Sequence, residues 1–157
     1  LIVKKQFLRL VIVGDGTEKL KLVKLVRQMN LSENIAFLGF QDNPYKYMKR
    51  ASVFVLSSLQ EGFGNVIVEA MACGTPVVAT DCKSGPGEII QDGINGFLVP
   101  AQDQIALAAA ILKILNNHDL AEKFSVEGIK RAEFFSVKKS VGEYEKLFQT
   151  LVNKKND

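Results

Sequence analysis

The chain has 157 residues, 47% apolar and 24% charged, enough length and apolar content for a globular domain with a buried core. Its net charge of +3, from 20 basic against 17 acidic side chains, is too mild and dispersed to argue for nucleic acid. No apolar run approaches the roughly 18 residues that would span a bilayer, and no export signal opens the chain.

In chain order, short apolar runs alternate with helical patterns. Leu8 to Val13, Ile35 to Leu38, Ala51 to Leu56 and Pro76 to Ala79 are rich in Val, Ile and Phe and lack in–out alternation. That texture predicts strands covered on both faces, as in a parallel sheet. Thr17 is placed to cap a helix running to about Met29, with Leu20, Val23, and Leu25 or Val26 at helical spacing. A second helix is expected from near Asn65 to Gly74. Ser84-Gly85-Pro86-Gly87 and Asp92-Gly93 read as turns, and Phe97 to Val99 as a short strand.

From Asp103 the pattern is helical: Ile105 to Leu115, Leu120 to Phe124, and after Ser136 a long amphipathic helix to about Val152. Tyr144, Leu147, Phe148 and Leu151 would form the buried stripe of that last helix, which occupies about 137–153. Strand, helix, strand in this order is the doubly wound α/β pattern, read here as one domain over 1–157. Ligands of such folds sit at the carboxyl ends of the strands. Attention therefore falls on Gly14 to Gly16, Gly39 to Asn43, Ser57 to Asn65, and Thr80 to Glu88.

Several residues carry little. His118 is the sole histidine, in the polar connection Asn116 to Asp119, and cannot assemble a zinc site or a triad. Cys73 and Cys82 lack metal-ligand spacing and read as free thiols of a reducing compartment, hence a cytoplasmic protein. Lys154 and Lys155, with Lys138 and Lys139 upstream, read as a solvated face and tail, with peripheral contact to an anionic membrane as the alternative. Gly14-Asp15-Gly16 follows a strand and opens a helix, but position 19 is Lys19, not the third glycine of a dinucleotide fingerprint. A tight strand-to-helix turn accounts for it. The start at Leu1 rather than Met suggests a piece of a longer protein, or processing.

Glu61-Gly62-Phe63-Gly64-Asn65-Val66-Ile67-Val68-Glu69 is the informative segment. Two glycines just before a helix let backbone approach a ligand closely. The helix start points amides and a positive dipole end at it, which suits an anion such as a diphosphate. Ile67, Ala70, Met71 and Gly74 share one face, while Glu69 stands one turn after Asn65 on another flank. A carboxylate at that distance suits vicinal hydroxyls rather than phosphate. The bland alternative is a glycine-rich turn and a solvent-facing glutamate.

Glu61, seven intervening residues, then Glu69, with Glu69-Ala70-Met71-Ala72-Cys73-Gly74-Thr75-Pro76-Val77-Val78 following, resembles the signature of family 4 (group 1) retaining glycosyltransferases. Leu10 to Gly16, Ile35 to Phe40, Ala51 to Ser58 and Gly93 to Pro100 agree with it in order and spacing. The resemblance implies the C-terminal, donor-binding lobe of a GT-B fold. That lobe is a doubly wound, mostly parallel Rossmann-like sheet, here without the acceptor lobe and the lobe's first βα unit. The loop at Ser84 to Ile90 is similar to members that build bacterial surface glycans and glycoprotein sugars.

By this resemblance Glu69 would hold the ribose hydroxyls, and amides near Gly64 and Asn65 the diphosphate. Glu61, as the catalytic-site residue, and the backbone of Gly62 and Phe63 would address the donor sugar. Phe40 and Gln41 would lie along the base. The donor would be a UDP- or GDP-sugar, and the acceptor a glycan or lipid-linked molecule held through the missing lobe. The family needs no cofactor and no metal ligands, and the enzyme would work in the cytoplasm, including the inner membrane face. One departure stands out: the Arg and Lys that members offer the diphosphate would precede Leu1. Lys4, Lys5 and Arg9 are poorly placed to replace them, and Lys83 at a strand end reads as solvated. Alternatives are a nucleotide-binding module that is inactive as this piece, and a GT-B epimerase or phosphorylase. A single histidine argues against the epimerase, and the lack of a pyridoxal-lysine motif argues against the phosphorylase.

Overall fold

The computed structural model describes residues 8–153; Lys4, Lys5, Lys154 and Lys155 lie outside them. The chain, read from sequence as one domain, divides into two compact units, one through Lys46 and the other from Tyr47.

In the first unit, β1 (Leu10–Val13), α1 (Lys19–Gln28) and β2 (Ile35–Gly39) make a strand–helix–strand turn. The two strands are parallel, with Leu10 opposite Ile35 and Ile12 opposite Phe37, and a bulge after Ile12 brings Val13 opposite Gly39. Thr17 does not cap α1: Glu18 holds that position, and its side chain makes no capping bond. Lys19 instead ties the first turn back to Asp15 through an ion pair of 2.9 Å. The expectation of doubly covered strands fails for β1, where Leu10, Val11 and Val13 are exposed. Two strands and one helix supply too little surface to cover both faces.

The second unit carries the larger core. Its strands β3 (Phe54–Leu56), β4 (Val77–Asp81) and β5 (Phe97–Pro100) are all parallel in that spatial order. Between and after them run α3 (Asn65–Ala72), α4 (Pro86–Ile89), α5 (Gln104–Leu115), α6 (His118–Phe134) and α7 (Val137–Asn153). The short helix α2 (Tyr45–Met48) bridges the boundary in sequence.

Successive residues of a strand face opposite sides, and β4 uses both. Val77 and Ala79 pack with Ile67, Ala70 and Met71 of α3 and with Ile89 and Ala132. Val78 packs on the other side with Val99, Ile114 and Phe124. Four consecutive buried residues, Val77 to Thr80, follow from this sandwiching. A buried Thr75 hydroxyl donates to the Met48 carbonyl at 2.7 Å, tying the turn between α3 and β4 to the end of α2.

Three further expectations are corrected. Residues 84–90 are not turn alone, because Pro86 opens the single helical turn α4. The helix expected at Leu120 to Phe124 runs from His118 to Phe134, so His118 begins a helix rather than sitting in a connection. Its cap is Asn117, whose side-chain oxygen accepts from the Leu120 amide at 3.0 Å. Finally, the stripe of α7 is not buried: Tyr144, Leu147, Phe148 and Leu151 are 52% to 62% exposed. The helix forms where the pattern places it, but nothing described packs against its apolar face.

Candidate functional site

Every residue from Glu61 to Glu69 belongs to the junction between the carboxyl end of β3 and the start of α3. The chain leaves the sheet at Leu56, turns through 57–64 and re-enters helix at Asn65. Gly64 makes that entry possible. It adopts φ 88° and ψ 48°, a left-handed conformation costly for any residue with a Cβ. No side chain caps α3, so its leading amides, which have no partner within the helix, point outward. The buried face of Ile67, Ala70 and Met71 anchors the helix on the core.

Glu69 is half-buried on α3, one turn beyond the exposed Asn65. Among the described residues its carboxylate has no hydrogen bond and no ion pair. Glu61, also half-buried, is tightly held. Its Oε1 accepts from the Ser58 hydroxyl at 2.6 Å, and its main-chain carbonyl accepts from the Ser84 hydroxyl at 2.6 Å. Thr80, buried at the end of β4, donates to the Ser58 carbonyl at 2.5 Å. Phe63 packs edge-to-face on Phe135, with centroids 5.3 Å apart, so that its ring turns into the protein and its backbone remains on the loop. Gly62 is exposed.

The loop after β4 presses against this one. Gly85 has φ 87°, and a Cβ there would collide with the Phe63 carbonyl. Only glycine lets the two loops approach so closely. Arg131 on α6 braces the same loop from below, donating to the carbonyls of Glu88 at 2.5 Å and Ile89 at 2.9 Å. From sequence, Ser84 and Gly85 read only as part of a turn, and no site role falls to Ser58, Thr80, Ser84 or Gly85, although all four lie in the two strand-end segments that topology marks. Small polar residues in loops are too common to stand out without coordinates. Lys83 in the same loop is exposed.

Phe40 and Gln41 lie in the other compact unit, just past the end of β2. Phe40 is 77% exposed, and Gln41 is half-buried with its amide donating to the Leu38 carbonyl at 3.0 Å. In that unit the Asp15 carboxyl is held below the usual carboxylate range, first by the hydrogen bond from Lys19, then by the Gly16 amide and the Lys19 charge. A separate groove of about 250 Å³ in the second unit is lined by Gln91, Asn95, Glu127, Arg131 and neighbouring side chains, and shares no residue with the Glu61–Glu69 junction. Among the described residues no group of three or more His, Cys, Asp or Glu is arranged for a metal ion, and no helix is long and apolar enough to cross a membrane.

The arrangement is a strand-end platform with an uncapped helix start, one carboxylate held and another available. Residues 2–131 match the family described as glycosyl transferases group 1. A relative from Campylobacter jejuni is 37% identical over 83% of this chain and 36% of its own length. It is the N-acetylgalactosamine-N,N'-diacetylbacillosaminyl-diphospho-undecaprenol 4-alpha-N-acetylgalactosaminyltransferase. An uncharacterized glycosyltransferase of Methanocaldococcus jannaschii is 32% identical over 90% of this chain and 42% of its own length. The chain thus spans less than half the length of these relatives.

Among solved structures, a point mutant of S. aureus TarM in complex with Fondaparinux, alpha-GlcNAc-glycerol and UDP superposes with a TM-score of 0.86 at 31% identity, over 94% of this chain and 30% of that one. Anabaena HepE in complex with UDP-glucose gives a TM-score of 0.81 at 28% identity, over 92% of this chain and 41% of that one. With this match in sequence and this likeness in fold, the chain belongs to the group 1 glycosyl transferases, as a C-terminal GT-B domain of that family.

Proposed function

We propose that this chain is the donor-binding lobe of a retaining glycosyltransferase that moves a sugar from a nucleotide-diphosphate sugar to a glycan or lipid-linked acceptor. The observation that carries the reading is the β3–α3 junction. There the uncapped helix start at Gly64 and the unengaged Glu69 carboxylate share one helix. A diphosphate is favoured by the amides and dipole of Gly64 and Asn65. Vicinal ribose hydroxyls are favoured by the Glu69 carboxylate, which accepts charge-assisted hydrogen bonds. Glu61, with the backbone of Gly62 and Phe63, addresses the donor sugar.

The chemistry we assign is front-face attack. The acceptor oxygen bonds to the anomeric carbon on the side from which the phosphate leaves, and the departing phosphate oxygen takes the acceptor's proton. The protein's part is to position the reactants and stabilise the charge developing on the leaving group. No metal ion or cofactor enters this scheme. UDP is the nucleotide named in both solved neighbours cited above, which makes a UDP-sugar the first donor to try, with GDP-sugars next. Relatives that act on lipid-linked sugars support a working place in the cytoplasm at the inner membrane face.

A ligand-observed NMR screen of UDP, GDP, ADP and their sugars against this chain tests the reading. We expect one nucleotide and its sugar to bind, with EDTA making no difference. Binding of none of them by the folded chain would remove the donor role, and loss of binding in EDTA would remove metal independence.

A further inference from the structure

We propose that Ser58 and Ser84 are positioning residues that set the orientation of Glu61 and so tune recognition of the donor sugar, an inference that rests on Glu61 meeting that sugar. The loop carrying Glu61 includes two glycines, Gly62 and Gly64, and glycine gives a chain more conformational freedom than any other residue. A carboxylate on such a loop needs external tethers to present one fixed geometry, and two serines supply them from different strand ends. Ser58 Oγ donates to Glu61 Oε1 at 2.6 Å, which fixes the carboxylate plane and leaves the second oxygen for a ligand. Ser84 Oγ crosses from the loop after β4 and donates to the Glu61 carbonyl at 2.6 Å, which fixes the main chain at the same residue.

Each tether is itself backed. The Ser58 carbonyl accepts from buried Thr80 at 2.5 Å. Ser84 is kept in reach because Gly85 lets its loop lie against the Phe63 backbone. The hydroxyl–carboxylate bond is charge-assisted and therefore of the stronger kind. Ser84 is exposed and Glu61 half-buried, so the tethers add little to overall stability; their effect is on geometry. A binding group misplaced by a fraction of an ångström loses its best hydrogen bonds while the fold stays intact.

The test compares affinities for UDP-glucose, UDP-N-acetylglucosamine and GDP-mannose with those for UDP and GDP, by titration calorimetry on the whole chain. Wild type is set beside Glu61→Ala, Ser58→Ala, Ser84→Ala, Ser58→Thr and Ser84→Thr, with thermal melts to confirm folding. We expect each serine-to-alanine change to weaken the sugar nucleotide by roughly fivefold, about the effect of one hydrogen bond. The bare nucleotide should stay within about twofold of wild type by the same scale, and the threonine variants should recover most of the loss.

If Glu61→Ala weakens the sugar nucleotide while both serine-to-alanine variants bind like wild type, the positioning role is overturned and the donor-site reading stands. Equal weakening of bare and sugar nucleotides in the serine variants, or no rescue by threonine, would also overturn it, since that is what a general loop defect would do. No effect of Glu61→Ala on any donor, or no binding of any probe by wild type, would instead overturn the donor-site reading beneath it.

Discussion

Glu61 and Glu69 stand eight positions apart in one motif, yet the structure treats them differently. Glu61 is engaged on both its side chain and its carbonyl, whereas the Glu69 carboxylate has no partner among the described residues. That difference is the basis for the two roles proposed above, Glu61 held toward the sugar and Glu69 open to ribose hydroxyls. If Glu69 accepts from both ribose hydroxyls, Glu69→Ala loses charge-assisted bonds worth about 1.5–3 kcal/mol each before water compensates. Nucleotide affinity should then fall roughly tenfold or more. Equal affinities in two folded proteins, measured by calorimetry, would exclude the ribose role.

Asp15 offers a second check at this scale. Its carboxyl is lowered by the Lys19 hydrogen bond, the Gly16 amide and the Lys19 charge. A depressed folded value means the contribution is present above the unfolded value of about 3.9 and fades as pH falls through the folded one. A carbon-detected NMR titration should place its midpoint below that of an ordinary Asp, and Lys19→Ala should move it back up. The pair is exposed, so overall stability should barely respond.

At the scale of elements, α3 depends on its entry. Gly64→Ala would force a Cβ into a left-handed conformation, costing about 1–2 kcal/mol, and would set that Cβ 3.3 Å from Ile67 Cδ1. A lower melting temperature with weakened binding of bare nucleotide is the expected result. An unchanged melt would show that the junction relaxes into another turn. The last helix behaves in the opposite way. Its apolar face, read from spacing as buried, is open to solvent in this chain. Exposed apolar patches of this kind promote association. Replacing Leu147 and Phe148 by Lys should leave the melting temperature nearly unchanged and reduce self-association and dye binding, as seen by light scattering and ANS fluorescence. A large drop in melting temperature would mean that the stripe is packed after all.

For the whole molecule, length is the governing fact. The chain spans 36% and 42% of the two relatives described, and the acceptor is expected on parts they have in addition. We therefore expect this chain to bind a sugar nucleotide without transferring its sugar. Incubation with a radiolabelled donor and a lipid-linked or glycan acceptor should give no product above background. Robust turnover would show that the acceptor site lies within these residues.

The sequence by itself determined the local events, because each rests on a few neighbouring residues. Apolar runs became parallel strands, Asn65 began a helix, and the motif from Glu61 to Glu69 landed at a strand's carboxyl end. Glycine placement and helical spacing are readable at short range. What only the tertiary structure decided involves residues distant along the chain. The division into two units, the exposure of β1 and α7, and the merging of 118–134 into one helix depend on which surfaces find partners. The hold on Glu61 is of the same kind. Ser84 lies 23 residues away and reaches Glu61 only because parallel pairing sets β4 beside β3 and Gly85 permits the contact. Periodicity reports which face of an element is apolar, but burial and tethering depend on what the rest of the fold brings against it.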